Sequence, residues 1–238
     1  MSQESTASST ISLLESRLQR LQADALFTRD RDRLADADGL LAALPARVAG
    51  LRSRRYVYHA GIEEQIKELA AQWPAARRLA DGNLQIQAAA LRAEVAQAAE
   101  AVGRLSALKT RPLSTARPTI DRVETQVKAV ESKVQAQQKS IAAAYEPLLD
   151  QAQAIERQVK QCERNLDWLD GATFHLSVGE SLVDATEARQ VTGDDETEGI
   201  LFLTDQRLLF ERREKEARKK ILFITTASEM VKELRWEA

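Results

Sequence analysis

The sequence predicts a mainly α protein, built of long antiparallel coiled-coil helices or a helical bundle and followed by a small β-rich domain. Three observations carry this expectation. Up to about residue 170 the chain is dominated by Ala, Gln, Glu, Arg and Leu, with apolar residues recurring at three- and four-residue steps. Aromatics make up only 5% of the 238 residues, with 9 glycines and 5 prolines, so the apolar seams are narrow and one large core is not expected. From Gly171 onward the period changes to short alternating runs, densest in EGILFLTDQRLLFERRE at 198–214.

Residues 1–10 are polar and expected to be disordered. Ser12 and Glu15 have the spacing of a capping box, and Ile11, Leu14, Leu18, Leu21 and Ala25 follow at helical steps, predicting a first helix to about Ala37, before Gly39. A second segment begins near Leu40 and runs through Leu44, Val48 and Leu51 to Ile62, Ile66, Leu69 and Trp73, where Pro74 is expected to interrupt it. Leu84, Ala88, Leu91, Val95, Ala98, Val102 and Leu105 then alternate four and three steps, the 3.5-residue period of a coiled coil. Residues 11–110 are thus expected to form an antiparallel bundle, closed by a Pro-rich turn at 111–118. The seam restarts at Ile120, Val123, Val127, Val130 and Val134 and continues past Pro147 to Ile155, Val159, Cys162, Leu166 and Leu169. Residues 119–170 are expected to form one long helix of about 75 Å, bent at Pro147.

Gly171 ends that helix, and 171–238 form the β domain. Thr173 to Val178 and Leu182 to Val191 alternate like strands, and Gly193 to Gly199 reads as an acidic turn. Ile200 to Leu203 and Leu208 to Phe210, joined by Thr204, Asp205 and Gln206, predict a β-hairpin. Ile221 to Thr226 is a further apolar run. Thr226 and Glu229 offer a second capping box for a short helix through Leu234, against which stands an alternating strand reading of Leu234 and Trp236.

Composition excludes several functions. With 34 basic and 36 acidic residues, a net charge of -2 gives no whole-chain argument for nucleic acid. The single cysteine, Cys162, excludes an intrachain disulfide and a cysteine-based zinc site, and as a seam residue it reads as a small apolar side chain. The N-terminus lacks the pattern of a signal peptide, and no run approaches the ~18 apolar residues of a membrane span. The expected location is cytoplasmic, or peripheral at a membrane. Catalysis needs a nucleophile within reach of a base. The two histidines, His59 in RRYVYHAG and His175 beside Phe174, both read as structural, His175 partly buried in a strand. No acidic spacing suits a metal and no glycine-rich phosphate loop occurs, so neither an enzyme nor a cofactor is expected. The basic run Arg212, Arg213, Lys215, Arg218, Lys219 and Lys220, expected in the connection after the hairpin, is the candidate contact for an anionic surface.

The run Gly179-Glu180-Ser181-Leu182 with Ala188, followed by Gly199-Ile-Leu-Phe-Leu-Thr204-Asp205-Gln-Arg207-Leu-Leu-Phe210, resembles the opening strands of GRAM domains and of bacterial pleckstrin-homology-like domains. The resemblance covers about residues 172–238. It implies a curved, partly open barrel capped by a helix, and binding to lipid or protein without catalysis. It further implies that Gly179, Glu180, Gly199, Thr204, Asp205, Arg207 and Phe210 mark the fold. The chain stops short of the family's full set of strands, so the natural protein is expected to be longer. The function expected is a non-enzymatic adaptor or scaffold that self-associates through its coiled-coil seams and meets a protein partner or an anionic membrane surface through its head. The alternatives are a structural assembly protein whose helices polymerise or remodel a surface, with the head as regulator, and nucleic-acid binding through Arg52 to His59.

Overall fold

A computed structural model describes residues 7–57, 59, 61–192, 195–221 and 224–237, for the backbone alone at 214–221, 224–231 and 236–237. The helices are α1 (Ser8–Asp24), α2 (Thr28–Ser53), α3 (Ile62–Arg104), a 3-10 turn at Leu105–Leu108, α4 (Leu113–Ala143) and α5 (Glu146–Asp170). Four strands follow: β1 (Leu182–Thr192), β2 (Asp195–Thr204), β3 (Leu208–Ile221) and β4 (Ile224–Glu237). The expected class, long helices and then a small antiparallel sheet, is the observed one. The chain divides into two compact units, Met1–Gly39 with Leu69–Gln151, and Leu40–Glu68 with Ala152–Ala238.

The first unit is a helical bundle. Its interior is lined by Ile11, Leu14, Leu18 and Leu21 of α1, Leu84, Leu91, Val95 and Val102 of α3, and Ile120, Val123, Val127, Val130, Val134 and Ile141 of α4, all buried as their spacing predicts. Polar pairs along the seams fix the directions. Glu15 meets Lys109 at 2.8 Å, whereas Asp38 accepts from the Trp73 indole at 2.6 Å, so α3 runs antiparallel to α1 and α2. Arg17 meets Glu131, Asp30 meets Tyr145 at 3.0 Å and Arg33 meets Glu146 at 2.7 Å, so α4 and α5 run parallel to α1 and α2.

Several boundaries differ from expectation. Residues 1–6 lie outside the described part, but Ala7 is fully buried and its N–H bonds the Arg111 carbonyl at 3.3 Å, so α1 starts at Ser8. Ser12 is therefore inside the helix, and Glu15 serves Lys109 instead of a capping box. The first helix breaks at Ala25–Phe27, where Phe27 takes φ 52° and is buried, and α2 then passes through Gly39 and Pro45. α3 passes through Pro74 because the neighbouring Trp73 is anchored in the interior by its bond to Asp38. The turn before α4 is complete by Pro112, and Pro118 lies within α4. Residues 119–170 form two helices. Pro147 lacks an N–H and its ring crowds the carbonyl four residues back, so α4 ends at Ala143 and α5 restarts at Glu146.

In the second unit the remainder of α2 lies along α5. Arg47 pairs with Glu163 at 2.6 Å, and Arg54 with Asp167 and Asp170 at 2.9 and 2.8 Å. The sheet is an antiparallel meander in the order β1-β2-β3-β4. Residues 173–178 are not a strand, and the acidic segment expected as a turn belongs largely to β2, whose Asp195 pairs with Thr192. Gly193 and Asp194 lie outside the described residues. The basic run is no connection either, because the backbone from Arg212 to Lys220 is in β3, paired with β4. β4 also replaces the helix expected from Thr226, and Glu229 is paired with Glu216.

Candidate functional site

The residues singled out in the β domain meet at one place. After Gly171 closes α5, Phe174 is buried edge-on against Phe202, with ring centroids 5.0 Å apart. Ser177 to Glu180 then make a tight turn in which Gly179 has φ 84°, a value that L side chains avoid, and the Glu180 N–H bonds the Ser177 carbonyl at 3.1 Å. The Glu180 carboxylate, fully buried, accepts the Ser177 N–H at 2.7 Å. It also takes both arms of the Arg207 guanidinium, at 2.7 and 2.9 Å. Arg207 donates to the His175 carbonyl at 2.9 Å as well.

The partner turn is built by Thr204. Its hydroxyl accepts the N–H groups of Gln206 and Arg207 at 3.2 and 2.9 Å, and donates to the Arg207 carbonyl at 3.0 Å. Asp205 bonds a neighbour instead of its own turn, accepting the Ser181 N–H at 2.9 Å and donating its own N–H to the Ser181 carbonyl at 3.1 Å. Phe210 is buried, and Gly199 allows β2 to lie close to β3. A Cβ at Gly199 would come within 2.8 Å of the Phe210 ring and nearer still to the Glu211 carbonyl. Burial by itself would raise the Glu180 pKa; the bonds from Arg207 and from the Ser177 N–H outweigh it and hold the carboxyl down to about 2.

A second polar cluster escaped the sequence reading. The fully buried Glu211 carboxylate accepts the Thr173 N–H at 2.6 Å and hydroxyl at 2.9 Å, and pairs with Arg213 at 2.6 Å. Arg213 donates to the Trp168 carbonyl at 2.7 Å and lies over the Phe202 ring at 5.7 Å. Of the six basic residues proposed for an anionic surface, Arg213 is thus engaged inside the domain, and Arg212 approaches Glu233 at 4.0 Å. The side chains of Lys215, Arg218, Lys219 and Lys220 lie outside the described residues. The sequence offered only that Glu211 shares its strand face with the apolar Leu209, two residues earlier; nothing in the local spacing pointed to Thr173 or Arg213 as its partners.

The other candidates are structural or exposed. Cys162 is buried, and burial pushes its thiol pKa up, away from a reactive thiolate. Tyr56 is buried, donates to the Val183 carbonyl at 3.1 Å, and has its pKa raised first by burial. Arg52 bonds Glu63 at 2.6 and 2.8 Å and the Tyr56 carbonyl at 2.7 Å, so part of the basic and aromatic run 52–59 serves to close the α2–α3 loop. Tyr58 lies outside the described residues. His59 and His175 are both exposed, contrary to the partly buried position expected for His175, whose carbonyl is what Arg207 uses.

Among the described residues no group of three or more His, Cys, Asp or Glu side chains is placed to hold a metal ion, and no helix is long and apolar enough to cross a membrane. Compared with protein families and with curated proteins, the sequence matches none.

Proposed function

We infer that the chain is a non-enzymatic adaptor or scaffold, in which self-associating helices carry a GRAM- or pleckstrin-homology-like head that meets a protein partner or an anionic membrane surface. The observation that supports this reading is the pairing of Glu180 with Arg207, which ties the Gly179-Glu180 turn to the Thr204-Asp205 turn. The two halves of the family-like motif, far apart in sequence, meet through the side chains that define them. Those polar groups are consumed in holding turn to turn, so any contact with a partner falls to other surfaces of the head.

The test is cosedimentation of the full chain with vesicles of neutral lipid and of neutral lipid mixed with phosphatidylserine. Binding is expected only to the anionic vesicles, falling with salt and with charge reversal of Lys215, Arg218, Lys219 and Lys220. Binding indifferent to those reversals, or none at micromolar protein, removes the membrane branch. The protein branch then stands or falls on whether proteins captured by the full chain are lost when the head is disrupted by Gly199→Val.

A further inference from the structure

β1 lies at the edge of the sheet. Which of its backbone groups face outward follows from the ladder, in which hydrogen-bonded pairs alternate. The Thr204 N–H bonds the Arg207 carbonyl at 2.9 Å, so Thr204, Phe202 and Ile200 turn their backbone groups to β3, while Leu201 and Gly199 turn theirs to Thr186 and Ala188 of β1. Ala185, Glu187, Arg189 and Val191 therefore point their N–H and C=O groups away from the sheet. The Ala185 N–H agrees, bonding the Asp184 carboxylate at 2.9 Å and not β2. Tyr56 and Asn165 cover the start of the strand through the Val183 carbonyl and the Asp184 carboxylate. Beyond them, among the described residues, Glu187, Arg189 and Val191 form no backbone bond to another element on that side, and only the Thr186 hydroxyl approaches, 3.4 Å from the Glu187 carbonyl.

The charge beside this edge is unbalanced. Glu187, Arg189 and Glu198 share a face with the buried Ala185 and Ile200, and with Trp168 they line a cleft of about 700 Å3. Arg189 holds Glu196 at 2.7 Å and Glu198 at 3.1 Å, and with Glu187 and Asp195 the arm sets four carboxylates against one guanidinium. Of the nearby cations, Arg213 is held by Glu211 and Arg164 lies over the Trp168 ring at 5.0 Å. We propose that β1, from Ala185 to Val191, takes an extended segment of another protein as an added antiparallel strand, with a lysine or arginine opposite Glu187. The backbone row supplies the hydrogen bonds, and the basic side chain meets Glu187 on the cleft side. An uncharged residue suits the place opposite Arg189, and an apolar one the place opposite Val191, which is 63% exposed. A second copy is the poorer occupant, because pairing β1 with β1 brings two net-acidic arms together. The inference rests on the protein branch of the reading above.

The test uses the full chain carrying Ala188→Cys, whose side chain leaves on the face opposite Glu187. The probe is the capped peptide Val-Thr-Thr-Cys-Lys-Thr-Val, which in the proposed register sets its cysteine opposite position 188, at a separation a disulfide spans, and its lysine opposite Glu187. Under reversible thiol exchange this peptide is expected to be captured about fivefold better than its glutamate counterpart, and Glu187→Lys is expected to reverse the preference. On the native chain, the same peptide with threonine for cysteine should slow amide exchange at Glu187, Arg189 and Val191, which a charge contact without strand pairing does not do. Equal capture of the two peptides, a preference that survives Glu187→Lys, or unchanged exchange at those three amides overturns the proposal. So does Ala188→Cys that cross-links chain to chain in preference to the peptide, which would give the edge to a second copy. Failure here leaves capture of proteins by the head, and its loss in Gly199→Val, as they stand, so the two readings fail separately.

Discussion

Along α4, from Ile120 to Ile141, the fold is held by apolar side chains repeated every three or four residues, each buried and each doing the same thing as the next. From Thr173 to Arg213 a small apolar cluster that includes Phe174, Phe202 and Phe210 is tied together by a few polar side chains, each with its own specific partners: Glu180 with Ser177 and Arg207, Thr204 with its turn, Glu211 with Thr173 and Arg213. The first arrangement is redundant, because removing one buried methyl pair leaves its neighbours in register. The second has no substitute for any member, because an orphaned buried carboxylate or guanidinium costs its full desolvation. Single substitutions should therefore separate the two regions, and they are ordered here by expected effect.

The largest effect is expected at Gly199. Any side chain there meets the Glu211 carbonyl and the Phe210 ring, so β2 and β3 must part where they pair at Gly199 and Arg212. Gly199→Val should cost about 4 kcal/mol or more, enough to unfold the head while the bundle persists. Hydrogen exchange should show loss of protection at 199–212 with α4 unchanged, and equal loss in both would mean that the two regions unfold together.

Glu180→Gln comes next and carries a pH signature. The folded carboxyl is held to about 2 against an ordinary 4.5, so the charged form stabilises the fold by roughly 3 kcal/mol. The sign follows from the depressed pKa: this stability is fully present above about pH 4.5 and is lost as pH falls toward 2. Acid titration of the native head should show a transition in that window, and the variant should lose stability at neutral pH with a flatter acid profile. A variant as acid-sensitive as the native chain would mean that another carboxylate governs the transition.

In the bundle, Val127→Ala removes buried methyls at a fully enclosed position and should cost about 2 kcal/mol, seen as a lower denaturation midpoint of the helical signal without loss of head protection. The contrast with Gly199 lies in where the effect appears as much as in its size.

The same contrast explains what could be read from the sequence. The seam positions of α1, α3 and α4 were legible because burial follows directly from a repeated spacing, and the hairpin of β2 and β3 because turn formers separate apolar runs. Helix ends were not, because proline and glycine are weaker signals than packing. Gly39, Pro45, Pro74 and Pro118 all lie inside helices, where anchored neighbours such as Trp73 offset the lost backbone bond. The break that does occur, at Ala25–Phe27, had a signal of another kind. From Ala25 the three-and-four alternation leads to residues 28, 32 and 35, whereas the buried residues are Phe27, Leu34 and Ala37, so the seam changes phase. The polar clusters of the head were legible only in part. The resemblance singled out Glu180 and Arg207, but Glu211 and Thr173 are paired by the chain's return past α5, which no local spacing records.

The phase change at Ala25–Phe27 leads to the smallest effect. Both parallel arms of the first unit break near one level, α1–α2 at Ala25–Phe27 and α4–α5 at Ala144–Tyr145, and the Tyr145 hydroxyl donates to Asp30 across them at 3.0 Å. Burial first, and then this bond, pushes the Tyr145 pKa up to about 12, so the phenol stays protonated and donating across the ordinary pH range. Arg33 lies over the ring at 5.6 Å and pairs with Glu146, which keeps the aromatic face occupied when the hydroxyl is absent. Tyr145→Phe should therefore cost only about 1 kcal/mol. Its diagnostic is where exchange quickens: amides at 25–30 and 144–149 should gain together if one bond holds both breaks, whereas a gain confined to 144–149 would show that the two arms break independently.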